Sequence, residues 1–302
     1  MATYNGERFL REQLDSLYGQ TMIPDEIVVS DDGSTDNTLK ILASYHEKYG
    51  LKYIVHDKKI GVNKNFEVAI RACSGDYIAI CDQDDIWFPE KIQISYEKIR
   101  EIENDAPAMV SSQPYHINSE GELISKGRHI NKDSKGAAAT LLYPPGVTQG
   151  CSLMFNRKLL GLLKEFPQTN DTMYDSYIGF VSASIGVKYN MAMPLMYYRH
   201  HSNNAVASNA TKKDNLLRKL KSSLKYYFNP SCISKKRLLS LALIEKEYGE
   251  LFTSEVSALY KKISEYREEK SKYKKIRIVW SIKELELNRK LNWTIGLIIN
   301  KE

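Results

Sequence analysis

Cysteine is scarce in this chain of 302 residues. The four cysteines include no Cys-x-x-Cys pair, and no histidine accompanies them at a spacing typical of zinc sites. A disulfide-rich scaffold is therefore excluded, and we expect reduced thiols that behave as small buried hydrophobic groups. The cysteines are Cys73, Cys81, Cys151 and Cys232.

Long apolar runs are also lacking. No stretch reaches the roughly 18–20 apolar residues that a membrane-spanning helix needs. The first residues have neither the basic start nor the apolar run of a secretory signal peptide. We therefore expect a cytoplasmic protein, either free in solution or peripheral at the inner face of the cell membrane. Disorder along the whole chain is excluded because 42% of the residues are hydrophobic.

Positive charge is unevenly distributed along the chain. Residues 1–210 hold 21 basic and 26 acidic side chains, whereas residues 211–302 hold 22 basic and 11 acidic ones. This division predicts a mildly acidic body over 1–210 and a basic, mostly helical extension over 211–302. Within the extension, residues 214–228 carry an apolar stripe flanked by lysine and arginine. The stripe has two interpretations, an interfacial helix on an anionic membrane or a helix packed on the body.

Apolar patterns in the first 90 residues alternate between the helical and the strand period. Helical patterns include residues 9–17 and 66–70, and short apolar strands are predicted at 27–29, 53–55 and 77–80. This alternation predicts an α/β fold with a parallel sheet. Further strands are predicted at 109–111, 152–155 and 195–198, and a helix at 174–183.

The strongest chemical signal is the acidic run Asp82-Gln83-Asp84-Asp85, which follows a predicted strand. Carboxylates this close repel one another, and a bound cation relieves the repulsion. Carboxylate oxygens suit Mg²⁺ or Mn²⁺, and ligands of open α/β sheets bind beyond the carboxyl ends of the strands. The alternative is a solvated acidic turn that caps the following helix.

Two further motifs occur at comparable positions. Asp31-Asp32-Gly33 follows the strand at 27–29, and Thr3-Tyr4-Asn5 precedes the first helix. Together with the acidic run, they resemble the nucleotide-sugar-binding half of glycosyltransferase family 2, which has a GT-A fold. Three later segments, at 61–66, 148–151 and 198–204, are similar to motifs of its rhamnosyltransferase-like branch. The resemblance covers roughly residues 1–206, and six motifs in the right order make it specific.

The resemblance implies a GT-A domain with a mixed, mostly parallel sheet, and it implies a role for each matching residue. The nucleotide-sugar site would contain Thr3, Tyr4, Asn5, Asp31, Asp32, Asn65, Asp82 and Arg199. The ligands of Mg²⁺ or Mn²⁺ would be Asp84, Asp82 and His201. The catalytic base would be Asp175, and acceptor-site residues would be Gln149 and Gly150. Structural roles stay open as alternatives, among them a helix cap for Asn5 and Asp175, a surface histidine for His201 and an ion pair for Arg199.

This sequence departs from the family pattern at two places. Tyr174 stands before Asp175, where the family has His or Glu, and only Met1-Ala2 precedes Thr3 in place of a full apolar strand. The short start has three explanations: a late start codon, a truncated chain or a short strand.

The implied activity is inverting transfer of a sugar, with rhamnose as one candidate, from a dTDP- or UDP-type donor. The acceptor would be a glycan or lipid-linked sugar of surface polysaccharide synthesis. The alternatives are another hexose, or a non-catalytic subunit that binds nucleotide sugar and supports a glycan-assembly complex. No motif indicates nucleic-acid binding.

Overall fold

The computed structural model describes residues 1–126, 133–135, 141, 149–168, 172–202, 235–283, 285, 290–291, 293–294 and 297. The strands are β1 (Ala2–Thr3), β2 (Val28–Asp31), β3 (Lys52–Val55), β4 (Tyr77–Ala79), β5 (Ile86–Trp87), β6 (Ala108–Ile117), β7 (Leu123–Ser125), β8 (Ser134–Lys135), β9 (Leu153–Asn156) and β10 (Val187–Arg199). The helices are α1 (Leu10–Tyr18), α2 (Thr38–Tyr49), α3 (Val62–Ala72), α4 (Lys91–Ile102), α5 (Arg157–Leu162), α6 (Tyr174–Ile185), α7 (Lys235–Tyr248), α8 (Ser254–Glu268) and α9 (Lys272–Ser281).

The first three strands form a parallel sheet in the order β1-β2-β3. β1 pairs with the end of β2, so that Thr3 lies opposite Asp31. The carboxyl ends of these strands therefore lie at one edge, together with the polar residues that follow them. This arrangement is the parallel pairing predicted for alternating strands and helices.

The second sheet is mixed and has the order β4-β9-β6-β10-β5, with β7 on β6 and β8 on β10. β6 and β10 run parallel, while β4 pairs antiparallel with β9 and β10 antiparallel with β5. As a result, the end of β4 lies beside the start of β9, where Ala79 faces Met154.

Hydrophobic residues cover both faces of the sheets. Successive side chains of β6 point in opposite directions, so Met109 joins one core and Val110 the other. The core that contains Val110 also includes Leu10, Leu14 and Leu17, whose spacing places them on one face of α1. The result is a layer of strands between two layers of helices.

The C-terminal helices α7–α9 pack on the body through the core that contains Met109. Polar contacts reinforce this packing: the hydroxyls of Tyr177 and Tyr248 lie 2.6 Å apart, and those of Ser184 and Tyr260 lie 2.8 Å apart. The basic stripe at 214–228 and the boundary predicted at 210/211 lie outside the described residues. Among the described helices, none combines the length and apolar character needed to cross a bilayer.

Most predicted elements are present, with two differences in extent. β6 and β10 are much longer than the segments predicted at 109–111 and 195–198. β10 contains buried Lys188 and Asn190, and its register shifts on both sides of Pro194. Because of these polar residues and irregularities, apolar patterning does not reveal the full length of the strand.

Candidate functional site

The turn after β2 is organised by the buried carboxylate of Asp31. Its Oδ2 accepts hydrogen bonds of 2.7 Å from the hydroxyls of Thr3 and Ser34, and its Oδ1 accepts one of 2.8 Å from the Ser34 amide. Gly33 has a φ of 78°, a conformation that favours glycine. Asp31 therefore joins β1 to the Asp-Asp-Gly-Ser turn and has its oxygens engaged within the protein.

Asp32 and Tyr4 lie on either side of this junction. Asp32 accepts hydrogen bonds from the amides of Ile60 and Gly61, at 2.6 and 3.1 Å. The Tyr4 side chain is 40% exposed, and the Lys59 ammonium lies 3.9 Å from the centre of its ring. An exposed aromatic face with a cation beside it suits stacking on a nucleotide base and charge pairing with a phosphate.

Asn5 has a local structural role. Its Oδ1 accepts a 2.9 Å hydrogen bond from the Thr35 amide, and its own amide donates to the Ser34 hydroxyl at 2.8 Å. Its φ of 47° places it in the left-handed region, which asparagine tolerates. These contacts join Asn5 to the turn before α2, but Asn5 is not a helix cap, since the residues at the N-caps of α1 and α2 are Phe9 and Asn37.

The Gln83 carboxamide joins the ends of β1 and β4. Its Oε1 accepts from the Tyr4 amide at 2.9 Å, and its Nε2 donates to the Tyr4 carbonyl at 3.1 Å. A methyl group on Gly6 would overlap this carboxamide. Asn65 is buried and donates to the Thr3 carbonyl at 3.2 Å, so it supports β1 from α3. The nucleotide-binding candidates and the acidic run consequently occupy the same edge.

The structure places His201 beside the acidic run. Its Nε2 lies 2.7 Å from Oδ2 of Asp84. The neighbouring His200 instead contacts His116, with 2.7 Å between their ring nitrogens, and burial lowers the pKa of His200. The histidine closest to the predicted metal ligands is therefore His201.

Arg199 is buried, and its guanidinium is engaged within the protein. It pairs with Glu12 at 2.5 Å and donates to the carbonyl of Asp84 at 2.9 Å and to that of Ser119 at 3.4 Å. Its backbone amide donates to Asp85 at 3.1 Å. These contacts correspond to the structural ion pair, rather than to an arginine aimed at a diphosphate.

Asp82 groups with residues other than Asp84. Within the described part of the chain, the potential ligand atoms of Asp82, Asp85 and Cys151 all lie within 4.8 Å of one another. Burial, followed by the charges of Asp84 and Asp175, raises the pKa of Asp82 to about 7. Burial and the neighbouring aspartates also raise the pKa of Asp85 well above its usual range.

Asp175 lies in the first turn of α6 and faces the same cluster. Its carboxylate accepts a 2.6 Å hydrogen bond from the Ser176 amide and another from the Gly150 amide. Burial raises the pKa of Asp175 nevertheless. A carboxylate with a raised pKa is a stronger base, which suits proton removal from a hydroxyl group. The structure thus brings Gly150 and Asp175 together.

Tyr174, which directly precedes Asp175, packs beside Asp82. Its ring stacks on Phe66 with a centroid distance of 3.9 Å, and its hydroxyl lies 3.4 Å from Oδ1 of Asp82. A Cβ atom on Gly150 would overlap the Tyr174 ring, so a glycine is needed there. Gln149, the other acceptor-site candidate, accepts through its carbonyl from the Ser152 amide and hydroxyl.

The acidic run and His201 could hold a divalent cation, although the ligand atoms of Asp82 group with Asp85 and Cys151 rather than with both Asp84 and His201. The carboxylates of Asp82 and Asp84 lie on one short loop, and the imidazole Nε2 of His201 lies beside the Asp84 carboxylate. Burial and the neighbouring carboxylates raise the pKa values of Asp82 and Asp85 because they disfavour the charged forms, and a bound cation would favour those forms. Oxygen-rich donors of this kind are preferred by Mg²⁺ and Mn²⁺.

The profile of glycosyl transferase family 2 matches residues 1–162. The chain belongs to glycosyltransferase family 2. It is 29% identical to the dTDP-rhamnosyl transferase RfbG of Shigella flexneri over 227 residues, 70% of this chain and 75% of that protein. It is 31% identical to the chondroitin synthase of Escherichia coli over 124 residues, 41% of this chain and 18% of the synthase.

Solved structures show the same GT-A fold. TarS 1-349 of S. aureus in complex with UDP-GlcNAc matches with a TM-score of 0.58 and 19% identity, covering 97% of this chain and 76% of TarS 1-349. The mannosyltransferase PcManGT from Pyrobaculum calidifontis, in complex with GDP-Man and Mn²⁺, matches with a TM-score of 0.51 and 17% identity, covering 100% of this chain and 86% of PcManGT. The predicted family and fold class are therefore confirmed.

Sequence reasoning missed four residues of the site: Lys59, Gln83, Tyr174 and Cys151. Gln83 and Cys151 adjoin motifs, but their side-chain roles depend on neighbours distant in the chain. Tyr174 stood out as a departure from the family pattern, and that departure was the available signal. Lys59 gave no sequence signal of a functional role, because lysine is common in polar surface loops.

Proposed function

We propose that this glycosyltransferase moves a sugar from a dTDP- or UDP-type nucleotide sugar to a glycan or lipid-linked acceptor in surface polysaccharide synthesis, with inversion at the anomeric carbon. Rhamnose is the leading candidate sugar because of the likeness to RfbG, with another hexose as the alternative. The observation that supports the proposal is the contact between the ends of β1 and β4, where Gln83 joins Tyr4 to the acidic run, together with the proximity of Asp175 to Asp82.

Each side chain has a defined task in this scheme. The Tyr4 ring and the Asp32 carboxylate bind the nucleotide base, and Thr3 and Asn65 hold the strand beneath it. Asp82, Asp84 and His201 would hold Mg²⁺ or Mn²⁺, which neutralises charge on the departing diphosphate when bound. Asp175 accepts the proton of the acceptor hydroxyl as its oxygen attacks, and Tyr174 positions Asp82 beside it.

The test is an assay of the purified chain with dTDP- and UDP-sugars and Mn²⁺, after a thermal-shift screen for donors that bind. We expect nucleotide diphosphate release that increases with acceptor. Asp175→Asn should lower turnover at least about a hundredfold while donor binding persists, because only proton transfer is removed. Asp84→Asn should lose cation-dependent turnover as well.

Asp105→Asn is the matched control, because Asp105 is exposed and pairs with Lys158, and neither residue belongs to the candidate site. Donor binding without turnover, unchanged by Asp84→Asn, would instead support the non-catalytic subunit. No binding of any nucleotide sugar would contradict both functions.

We also propose that residues 214–228 bind anionic membrane surfaces, which suits a lipid-linked acceptor. Flotation with vesicles of anionic lipid at low salt tests this proposal. Replacement of the basic residues in 214–228 by glutamine should abolish flotation. Equal recovery of both proteins with the vesicles would contradict the proposal.

A further inference from the structure

Three potential metal ligands meet where β4 ends and β9 begins. Asp82 and Asp85 lie in the loop after β4, and Cys151 lies in the short helical turn before β9. Antiparallel pairing of these strands brings the two segments together. Their ligand atoms all lie within 4.8 Å of one another, although Cys151 is distant in sequence. This cluster, Asp82–Asp85–Cys151, differs from the Asp82–Asp84–His201 set of the proposed function.

The Asp85 carboxylate gives independent evidence for a ligand. Asp85 is fully buried, and its Oδ1 accepts from the Arg199 amide. Its Oδ2 is also buried and has no nitrogen or oxygen donor within the described part of the chain, and its neighbour is the weakly donating thiol of Cys151 in the same cluster. Two cations lie nearby: the Arg199 guanidinium is directed to Glu12 and to backbone carbonyls, and the buried Lys91 ammonium, which is close enough to Asp85 to interact with its charge, lies over the Trp87 ring at 4.6 Å. An oxygen of this kind is costly to leave unpaired, and a bound cation would satisfy it.

The chemistry of the donor set selects the kind of cation. A cysteine sulfur with two carboxylates suits thiophilic ions such as Zn²⁺, whereas Mg²⁺ and Mn²⁺ disfavour sulfur ligands. Binding would release the thiol proton to water, because the ligand to the metal is the thiolate. Asp82 is half-buried, whereas Asp85 and Cys151 are buried, so Asp82 is the member of the cluster with access to solvent.

We propose that Asp82, Asp85 and Cys151 form a site for a thiophilic divalent cation, which excludes Mg²⁺ or Mn²⁺ by occupying Asp82. Zinc bound there would therefore inhibit the transferase, because it would occupy Asp82, which the transferase needs to hold Mg²⁺ or Mn²⁺. Binding itself is independent of the proposed function, and only the inhibition depends on it.

The test is titration of the metal-free full chain with Cd²⁺, which gives an ultraviolet charge-transfer band when bound to thiolate. We expect one equivalent of Cd²⁺ to produce the band and to abolish Mn²⁺ binding. Cys151→Ser should lose the band, and Asp85→Asn should weaken Cd²⁺ binding at least tenfold. The matched control is Cys73→Ser, whose thiol instead donates to the Ala69 carbonyl, and Cys232→Ser is a second control.

A band that survives Cys151→Ser, or that disappears in either control, would overturn the site. So would the absence of a band in the unmodified chain, or an undiminished affinity in folded Asp85→Asn protein. Because the band needs no sugar nucleotide, its presence in a protein without transferase activity would contradict only the proposed function. An active enzyme without the band would contradict only the cation site.

Discussion

Gly150 has no room for a side chain because the Tyr174 ring lies against it. Gly150→Ala should displace Tyr174 from Phe66 and from Asp82. We expect turnover to fall about 10- to 100-fold, since small misplacements of catalytic groups are costly, and the free energy of unfolding to fall by about 1–3 kcal/mol. Steady-state kinetics and urea denaturation measure the two effects.

Gly161→Ala is the matched control, since a Cβ atom there meets nothing within 4 Å and Gly161 lies in α5. This variant should keep full turnover and gain up to about 1 kcal/mol from the better helix propensity of alanine. Equal turnover in the two variants would show that Tyr174 does not organise the site.

The pKa of Asp82 near 7 predicts a pH dependence of cation binding. Protons compete with the cation for the carboxylate below that pH, so the apparent affinity for Mn²⁺ should fall by up to about tenfold per pH unit below 7 and level off above it. Calorimetric titration between pH 5.5 and 8.5 measures this dependence. Asp82→Asn should bind more weakly at every pH, without the step near 7.

The same shift determines how stability changes with pH when no cation is bound. Because the folded-state pKa of Asp82 is raised, the folded protein binds this proton more tightly than the unfolded chain. The stabilisation is full below the ordinary aspartate pKa of about 4 and is lost as pH rises through 7. The metal-free Asp82→Asn variant should therefore lose less stability between pH 5 and 8, and an identical loss would contradict the assignment.

Local motifs predicted the parts of the site that one loop contributes. Asp84 and Asp82 were predicted as metal ligands because three carboxylates in four residues repel one another without a cation, although a solvated acidic turn was an equal alternative until the family resemblance was considered. The contact between Asp84 and His201 joins residues 117 positions apart, so it came only from the resemblance. Cys151 reaches the acidic run through antiparallel pairing of β4 with β9, which no local pattern specifies.

At the scale of elements, Arg199 fastens the end of β10 to the loop after β4 and to α1. Arg199→Met should lower the free energy of unfolding by about 2–3 kcal/mol, because buried carbonyls lose a charged donor. Glu12→Gln should cost less than about 1 kcal/mol, since the Glu12 side chain is 53% exposed. Chemical denaturation gives both values.

The same variants separate the two roles considered for Arg199. Binding of dTDP or UDP without metal should stay near the unmodified value in folded Arg199→Met protein, because the guanidinium is directed away from solvent. A loss of nucleotide affinity with unchanged stability would instead assign Arg199 to the diphosphate.

Strand lengths show where sequence patterns stop being informative. β2 was predicted only over Val28 and Val29, because the strand continues through the buried polar residues Ser30 and Asp31. β10 was predicted over only four of its residues, since Lys188 and Asn190 are buried through polar contacts rather than through apolar character. Partners of that kind are supplied by other elements, and the sequence of β10 alone does not reveal them.

At the scale of the whole molecule, one hydrophobic core extends from the body into α7–α9. Leu241 of α7 is fully buried in it, whereas its neighbour Leu239 is 51% exposed. Leu241→Ala should lower the free energy of unfolding by about 2–5 kcal/mol, and Leu239→Ala should change it by less than about 0.5 kcal/mol.

Hydrogen exchange then shows which parts of the chain are destabilised by Leu241→Ala. If the body and α7–α9 unfold as one unit, Leu241→Ala accelerates exchange of the most protected amides in β6 and α7 by the same factor, because both open through the same global transition. If residues 211–302 form an independent domain, only α7–α9 are affected and β6 keeps its protection. Equal acceleration would show that the body and α7–α9 form a single folding unit. Any functional boundary near residue 211 would then lie within that unit, and a membrane contact at 214–228 would act on an extension that folds together with the catalytic body.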